Sequence, residues 1–424
     1  MTAPVRSSPT VGSETTRRTE ILDTAARLFA SSGLRTSLKE IADACGILPG
    51  SLYHHFESKE ALIVELVERF NADLDDLARQ ATAALKKDDG GDPSERILSL
   101  GTAIADCAVR NRAALLLTVY DPPSGAGEQL VNATQHSPAK IDKALADTFK
   151  AARKAGYIRN GLDLDVLSDR LCQVLLHISL GVFQGVRGAD ELPAIRCRAI
   201  LNGIAVNPPA DAVLDRSKAF DAAQRTIDEW EKTDEEEDER LPMLRAVARA
   251  EFGRRGYEAT TVRDIAAAAG LSTGSVYRLI GSKDELLSSI MRKFEEKGRS
   301  AWSTVLKSDS TVVERLDALM WVNINAVERF SDEYKVQLAW IRESPPDTTS
   351  LGPSFTARLR DLKALLAEGV RTGELQIEGP SADIRAWSLF ELLWMPENIV
   401  RQLTPRGALT LARETTLRGA ATRA

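Results

Sequence analysis

Two segments of the chain carry polar side chains in the same order and at nearly the same spacing. The first reads GSLYHHFESKEAL from Gly50, and the second reads GSVYRLIGSKDEL from Gly274. Their hydroxyls, imidazoles, guanidinium group and lysines can donate hydrogen bonds to phosphate oxygens or to the edges of bases. Glycine and serine among them let a backbone approach a partner closely. Such groups contact nucleic acid when they share one exposed face of a helix, so the helices that carry them decide their role.

Catalytic patterns are missing from the sequence. It has no Ser/His/Asp arrangement, no glycine-rich phosphate loop and only four histidines, of which His177 is expected in the core. The four cysteines show neither CxxC spacing nor histidine neighbours, so we expect reduced thiols, no metal and no cofactor. The apolar stretch at 174–186 is too short to cross a bilayer. We expect neither enzymatic activity nor a membrane partner.

Repetition extends over nearly all of the 424 residues. Phe29 and Phe252 are 223 residues apart, and Gly50 and Gly274 are 224 apart. Later segments recur as well, since AGYIRNGLDLDVL is echoed by TGELQIEGPSADI and LNG by LRG. A period this long marks a tandem pair of complete units rather than a solenoid. Each half is therefore expected to fold around its own core.

Each half has the periodicity of helices and lacks the alternation of a sheet. A first helix is predicted at 16–31, and Ser37 and Thr261 begin capping boxes for the second helix of each half. Pro49 and Ser272 suit the start of the third helices. A long helix, a short helix, a tight turn and another short helix form a helix-turn-helix, whose last helix enters the major groove of DNA.

Over these residues both segments resemble the heads of the TetR family of bacterial transcription regulators. The first segment matches the family pattern at Ala25, Leu28, Phe29, Gly33, Ile41, Ala42, Gly46, Gly50, Leu52, Tyr53, His55, Phe56, Lys59 and Leu62. The second keeps most of these residue types but has Leu279 and Ile280 where the family has His-Phe. The resemblance implies an all-α fold of two tandem TetR-like halves, each a helix-turn-helix head followed by a helical ligand-binding and dimerisation domain. Fused, double-headed members of the family resemble this chain most.

The resemblance also implies that one face of each head contacts DNA. Leu52 and Phe56 lie four residues apart and are expected in the core of their own head, which leaves their neighbours toward the groove. The predicted DNA-binding residues are Ser37, Pro49, Gly50, Ser51, Tyr53, His54, His55 and Lys59 in the first head and Thr261, Thr273, Gly274, Ser275, Tyr277, Arg278 and Lys283 in the second. Arg278 can bind guanine bidentately where His54 cannot, so the heads are expected to prefer different half-sites.

The predicted boundaries follow the repeat. They are a disordered arm at 1–15, a head at 16–62, a regulatory domain at 63–207, a helical linker at 208–239, a second head at 240–286 and a second regulatory domain at 287–424. The net charge is −6, so affinity for DNA must come from local patches. Six adjacent carboxylates at 234–239 precede the second head. They are either a solvated linker or a group that repels phosphate and weakens this head.

Pairing of the halves and binding of a ligand are expected downstream of the heads. Members of the family pair their last two long helices in a four-helix bundle, and here the segments at 165–185 and 383–403 are the candidates for it. The apolar faces of these segments are equally compatible with an ordinary core. Ligand-binding candidates cluster in the second half, where tryptophan is concentrated; they are Trp302, Trp321, Asn325, Trp340 and Trp387. Buried tryptophan that serves only as core is the competing interpretation.

The sequence thus predicts a cytoplasmic bacterial transcription regulator, a repressor released from DNA by a small apolar, lipid-like effector. One chain would act as an intramolecular pseudo-dimer on double-stranded DNA with two different half-sites. In the alternative, only the first head reads DNA, and the second half is a pairing module. Pairing of two chains is left open.

Overall fold

The computed structural model describes residues 11–33, 36–87, 91–118, 127–134, 138–178, 187–230, 240–257, 260–343 and 353–422. The side chains of residues 11–15, 117–118, 338–343 and 353–354 are outside this description. Within these ranges the secondary structure is helical, with two isolated β-bridges and no strand. The predicted all-α fold is confirmed.

The helices follow the predicted repeat. The first half contains α1 (Val11–Ser32), α2 (Leu38–Ala44), α3 (Pro49–His55), α4 (Lys59–Lys86), α5 (Pro93–Arg110), α6 (Arg112–Thr118), α7 (Glu128–Thr134), α8 (Ala139–Lys154), α9 (Leu164–Leu176) and α10 (Leu192–Asn202). Two connecting helices come next, α11 (Asp211–Leu214) and α12 (Lys218–Glu229). The second half contains α13 (Arg240–Arg255), α14 (Val262–Ala268), α15 (Thr273–Ile280), α16 (Lys283–Leu306), α17 (Val312–Arg329), α18 (Ser331–Glu343), α19 (Pro353–Thr372), α20 (Ala382–Leu392) and α21 (Glu397–Ala412).

Helix α1 begins at Val11 rather than at the predicted Thr16. The arm predicted at 1–15 therefore overlaps a helix over its last five residues, while residues 1–10 lie outside the described part of the chain. No proline or glycine occurs between Gly12 and Ser31 to interrupt the helix.

The two heads join the rest of the protein differently. The core of head 1 is continuous with the core of both regulatory regions. Head 2 has a separate core that includes Leu244, Phe252 and Ile265, and Val336 of α18 packs into it. Beside this contact, Arg249 Nη1 donates to Glu333 Oε1 over 2.9 Å, although Glu333 is only 4% exposed. Head 2 therefore rests on its regulatory domain through α18.

The predicted linker is helical but is not a spacer. Helix α12 packs against α16 and α17 of the second half. Phe220 on α12 is buried and stacks on Trp321, with ring centroids 5.6 Å apart. Trp230, the C-cap of α12, contacts the ring of Phe330 at 5.1 Å. The connecting helix is thus part of the second regulatory core, and the acidic run at 234–239 lies outside the described residues.

Backbone hydrogen bonds join the two halves at two equivalent places. The bridges pair Ile158 with Ala421 and Ala205 with Leu375. Leu375 follows Ile158 by 217 residues, and Ala421 follows Ala205 by 216, so these are equivalent positions of the two halves. The first bridge therefore joins an early position of the first half to a late position of the second, and the second bridge joins the same two positions with the halves exchanged. Such an exchange of roles is the arrangement of an isologous, two-fold contact.

Two glycines lie at the centre of this contact. Gly203 and Gly419 have φ angles of +70° and +87°, which favour glycine. A Cβ on Gly203 would lie 2.5 Å from the carbonyl carbon of Arg418, and one on Gly419 would lie 2.3 Å from that of Asn202. The two backbones therefore approach so closely that a side chain does not fit on either.

Arg170 on α9 makes the contact between the halves asymmetric. Its fully buried guanidinium donates to Leu392 O over 3.1 Å and to Thr416 Oγ1 over 2.8 Å, and it also bonds Thr415. All these acceptors belong to the second half, and none is a carboxylate. Burial lowers the pKa of Arg170 to about 9. Counting from the N-caps Asp163 and Ser381, the counterpart of Arg170 in the second half is a serine at position 388.

The second predicted pairing segment, 383–403, is not one helix. Helix α20 ends at Leu392 and α21 begins at Glu397, because Pro396 cannot continue the first helix and instead caps the second. The first segment, 165–185, is helical through α9, and its residues beyond 178 lie outside the described ranges. Helix α10 of the first half packs against α20, so these elements do meet across the halves.

Asp142 on α8 predicts a pH dependence of stability. Burial raises the pKa of its carboxyl from 3.8 to about 6, and the nearby Asp169 raises it further, while the thiol of Cys172 opposes the shift. A pKa raised in the folded state contributes stability that is fully present below pH 3.8 and is lost as the pH rises through about 6.

We expect the thermal midpoint of the wild type to fall over this window and Asp142→Asn to remove most of the fall. Calorimetry at several pH values, with Asp165→Asn at a 76% exposed carboxylate as control, checks this. Parallel pH profiles of wild type and Asp142→Asn would contradict it.

No helix in the described ranges is long and apolar enough to cross a membrane. All four cysteines are free. Burial raises the pKa of Cys107 to about 11 and that of Cys197 to about 12, so these thiols stay protonated and unreactive.

Candidate nucleic-acid interface

The recognition face of head 1 is built on α3. Leu52 and Phe56 are buried in the head, at 0% and 2% exposure, as the sequence predicts. The opposite side exposes Gly50, Ser51, Tyr53 and His54, while Pro49 and His55 are half-buried. The ring of Tyr53 is unusual because 54% of this large side chain faces solvent. The face presents small groups at the start of the helix and hydrogen-bonding groups after them.

Head 2 builds the same face on α15. Val276 and Ile280 are buried, whereas Thr273, Gly274, Tyr277 and Arg278 are exposed and Ser275 is half-buried. The guanidinium of Arg278 lies along its own helix, where Nε donates to Gly274 O over 3.4 Å and Nη2 donates to Ser275 Oγ over 3.3 Å. These long bonds leave the guanidinium at the surface, within reach of a partner.

The hydroxyls of Ser37 and Thr261 cap the N-termini of α2 and α14. Ser37 Oγ accepts from Glu40 N over 3.2 Å, and Glu40 Oε2 accepts from Ser37 N over 2.7 Å, so the predicted capping box is confirmed. Thr261 and Asp264 form the same box, with bonds of 3.2 and 2.9 Å. Both hydroxyls are exposed at the start of the second helix, and their geometry holds this helix for the turn that follows.

Lys283 is placed differently from the expectation. Its ammonium donates to Tyr257 O over 2.9 Å and to Thr260 O over 3.1 Å, and it lies 4.1 Å from the centroid of the Tyr257 ring. Its ammonium therefore holds the turn before α14 together, and its contact with a phosphate stays a prediction. Lys59 of head 1 is likewise half-buried, with its ammonium 5.9 Å from the centroid of the Phe29 ring. Sequence spacing alone could not reveal these contacts within the heads.

Leu48 was missed by the sequence analysis. It is the N-cap of α3, adjacent to the predicted contacts, and its side chain is 76% exposed. The sequence did carry a signal for it: Leu48 is apolar at a position that favours polar capping residues, and the equivalent residue of head 2 is Ser272.

The predicted ligand residues lie in or beside the second regulatory core. Trp302 is 2% exposed and donates from Nε1 to Asn323 Oδ1 over 3.0 Å. Trp321 donates to Gln224 Oε1 of α12 over 2.9 Å, and Asn325 donates to the carbonyl of Trp321 over 2.8 Å. Trp387 is half-buried beside Phe355, with centroids 5.5 Å apart. The side chain of Trp340 lies outside the described residues. The hydrogen bonds show a packing role for the first three residues.

Comparison with known proteins decides the family. The pattern of "Bacterial regulatory proteins, tetR family" matches residues 21–66 and again residues 244–290. The chain is 32% identical over 157 residues to the HTH-type transcriptional repressor KstR2 of Mycobacterium tuberculosis, a match that covers 37% of this chain and 76% of the repressor. The chain belongs to the TetR family of bacterial regulatory proteins.

Other TetR-family matches cover shorter or more divergent regions. KstR2 of Rhodococcus jostii is 55% identical over 69 residues, which span 16% of this chain and about a third, 34%, of that repressor. A solved structure described as the ketosteroid transcriptional regulator KstR2 of Mycobacterium tuberculosis aligns at 23% identity and a TM-score of 0.35, over 45% of this chain and 98% of the other. This TetR-family chain is a DNA-binding regulator with two heads in tandem, and it is not an enzyme.

Proposed function

We propose that this TetR-family protein is a ligand-responsive repressor in which a single chain places two non-identical heads on an operator with two different half-sites. The observation that carries the proposal is the pair of recognition faces, exposed in both heads but different in chemistry. Head 1 presents Leu48 and His54 where head 2 presents Ser272 and Arg278. Since base edges are read by such side chains, different faces favour different base sequences.

Pairing of the halves within one chain is supported by the contacts at Gly203 and Gly419. Gly203 and Gly419 are equivalent positions of the two halves, and each lies against the backbone of the other, as equivalent residues do in a symmetric dimer. The asymmetric bonds of Arg170 to Thr415 and Thr416 favour contact between unlike halves. Two first halves would bring Arg170 opposite Ala199 and Ile200, the counterparts of Thr415 and Thr416, and these residues have no hydroxyls to accept from the buried guanidinium. We therefore favour one chain as the unit that binds the operator.

The alternative, in which head 2 is only a pairing module, rests on two observations. Leu279 replaces the histidine that head 1 has at position 55, and Lys283 is held by its own turn. The exposure of Tyr277 and Arg278 on the outer face of α15 argues for DNA contact, because Val276 and Ile280 on the opposite face supply the packing of this helix. Selection of binding sites from random double-stranded DNA by the full-length chain separates the two proposals. Two different half-sites at fixed spacing support the two-headed reader, and a single half-site supports the alternative.

Arg278→Ala is the sharpest test of head 2. We expect a loss of about 1–3 kcal/mol in binding free energy, roughly five- to 150-fold in affinity, and relaxed preference at one base pair of the second half-site only. Arg360→Ala is the matched control, because it removes an arginine that is 74% exposed and lies outside both heads. Fluorescence anisotropy with the selected operator and its single-base variants gives both quantities. Equal affinities for wild type and Arg278→Ala would favour the single-head alternative.

The effector is proposed to be a small apolar molecule acting on the second regulatory domain. The support is the aromatic group of Trp387, Phe355 and Phe390, whose rings meet at 4.7 to 5.5 Å and are not all buried. An apolar ligand entering there would separate α19 from α20 and shift α16, which packs against α19 and follows head 2 directly. Release of the labelled operator by long-chain fatty acids or sterols is the direct assay. Unchanged binding across the panel would remove this class of effector.

A further inference from the structure

Leu48 is placed where an apolar side chain is unfavourable for the folded head. Of the large apolar residues in the described part of the chain, it is the most exposed, at 76%. It is also the N-cap of α3 and makes no capping hydrogen bond with its side chain. Leucine is among the poorest N-cap residues because it cannot accept from the free N–H groups of the first turn.

Head 2 shows what the fold itself favours at this position. There Ser272 is the N-cap of α15, and its hydroxyl accepts from Ser275 N over 3.1 Å. The backbone at the two N-caps is nearly the same, with φ and ψ of −71° and 144° at Leu48 and −76° and 146° at Ser272, so a serine would also cap α3. The leucine of head 1 therefore forgoes the capping hydrogen bond and exposes an apolar side chain to water. Neither property stabilises the head, so we expect the leucine to act in contact with a partner.

The position of Leu48 limits what it can touch. It lies directly before Pro49 and Gly50, at the N-terminal end of the recognition helix, and this end of such helices contacts base edges in the major groove. The C5-methyl group of thymine is the apolar group that base edges present in that groove. On the basis of the proposed function, we propose that Leu48 packs against a thymine methyl group and makes head 1 select thymine at one position of its half-site.

This contact distinguishes the two heads. Ser272 at the same position of head 2 is short, and its hydroxyl is occupied by the cap and by Ser275 Oγ at 2.9 Å. Head 2 therefore has no apolar group for a methyl at this position, and its discrimination comes from Arg278. The two half-sites would differ at the base pairs that these residues face.

The test uses the full-length chain and the duplex obtained by selection from random DNA. Each thymine of the operator is replaced singly by deoxyuridine, which removes the C5-methyl group and keeps base pairing. We expect one replacement in the half-site of head 1 to weaken binding on the order of fourfold, because this is the loss of affinity that corresponds to exposing one buried methyl group to water. The variant Leu48→Ser, which copies head 2 and improves the cap, is expected to fold normally and to bind the thymine and uracil duplexes equally well.

Several results would overturn the proposal. They are a head 1 half-site without thymine, deoxyuridine replacements there that leave affinity unchanged, and a methyl effect of the same size in Leu48→Ser. If the chain still selects a two-part operator, these results reject the thymine contact while the two-headed function stands. If selection enriches no sequence at all, both proposals are wrong. Replacements in the half-site of head 2 are the internal control, since Leu48→Ser must not alter their effect.

Discussion

Replacing Arg413 with leucine is expected to lower the free energy of unfolding by about 3–5 kcal/mol, because it leaves a buried carboxylate without its partner. Arg413 is 2% exposed and Asp317 is 0% exposed. Nε of Arg413 donates to Asp317 Oδ1 over 2.7 Å, Nη2 donates to Asp317 Oδ2 over 2.8 Å, and Nη2 also donates to Asp215 over 2.7 Å. Burial works against the charge of Arg413, but these hydrogen bonds raise its pKa, so the guanidinium remains protonated.

Two further variants separate the buried pair from its surroundings. Arg406→Leu removes an arginine that is 54% exposed and pairs with Asp215 at 3.0 Å, and we expect a loss of about 1 kcal/mol or less. The double variant Asp317→Leu with Arg413→Leu removes both buried charges and is expected to recover most of the stability. Urea unfolding followed by tryptophan fluorescence measures all three. A loss below about 1 kcal/mol for Arg413→Leu would show that Asp317 is solvated or neutral in the folded protein.

Gly203→Ala is expected to weaken the contact between the two halves. The added Cβ would lie 2.5 Å from Arg418 C and from Leu417 O, which are backbone atoms that cannot rotate away. Strain at the positive φ adds roughly 1–2 kcal/mol, and overpacking adds roughly 1–3 kcal/mol, so the combined loss is on the order of 3 kcal/mol. Because the contact fixes one half against the other, operator binding by both heads together is expected to fall with it.

Gly161→Ala is the matched control for this substitution. Gly161 has a φ angle of +89°, and a Cβ there meets no atom within 4 Å, so the variant carries the backbone strain without the clash. We expect a loss of about 1–2 kcal/mol and unchanged operator binding. Urea unfolding and anisotropy titrations on both variants give the difference that belongs to the contact between halves. Equal losses in the two variants would mean that the backbones at Gly203 and Gly419 move apart without penalty.

Features that depend on residues three or four apart could be predicted from the sequence. The capping boxes at Ser37 and Thr261, the burial of Leu52 and Phe56, and the exposure of Tyr53 all follow from the geometry of a helix and its first turn. The repeat of these local patterns was also sufficient to predict two heads and an all-α fold. Local periodicity carries this information because it is fixed by the helix itself and not by its neighbours.

Only the tertiary structure could reveal which side chains are already engaged by distant residues. Lys283 has the spacing of a phosphate ligand, yet it bonds carbonyls 23 and 26 residues earlier. Helix α12 has the periodicity of a linker helix but packs into the second core, where Phe220 meets Trp321.

The sequence by itself determined the family, the all-α fold of two tandem halves and which side chains of α3 and α15 are exposed. The tertiary structure decided how the halves meet, since Arg170 of the first half finds its partners in the second half, 222 to 246 residues away. Contacts this distant leave no periodic trace in a single sequence, because they depend on the relative placement of whole helices. The same placement brings Gly203 against Gly419, and it is the reason that two repeated halves form one body.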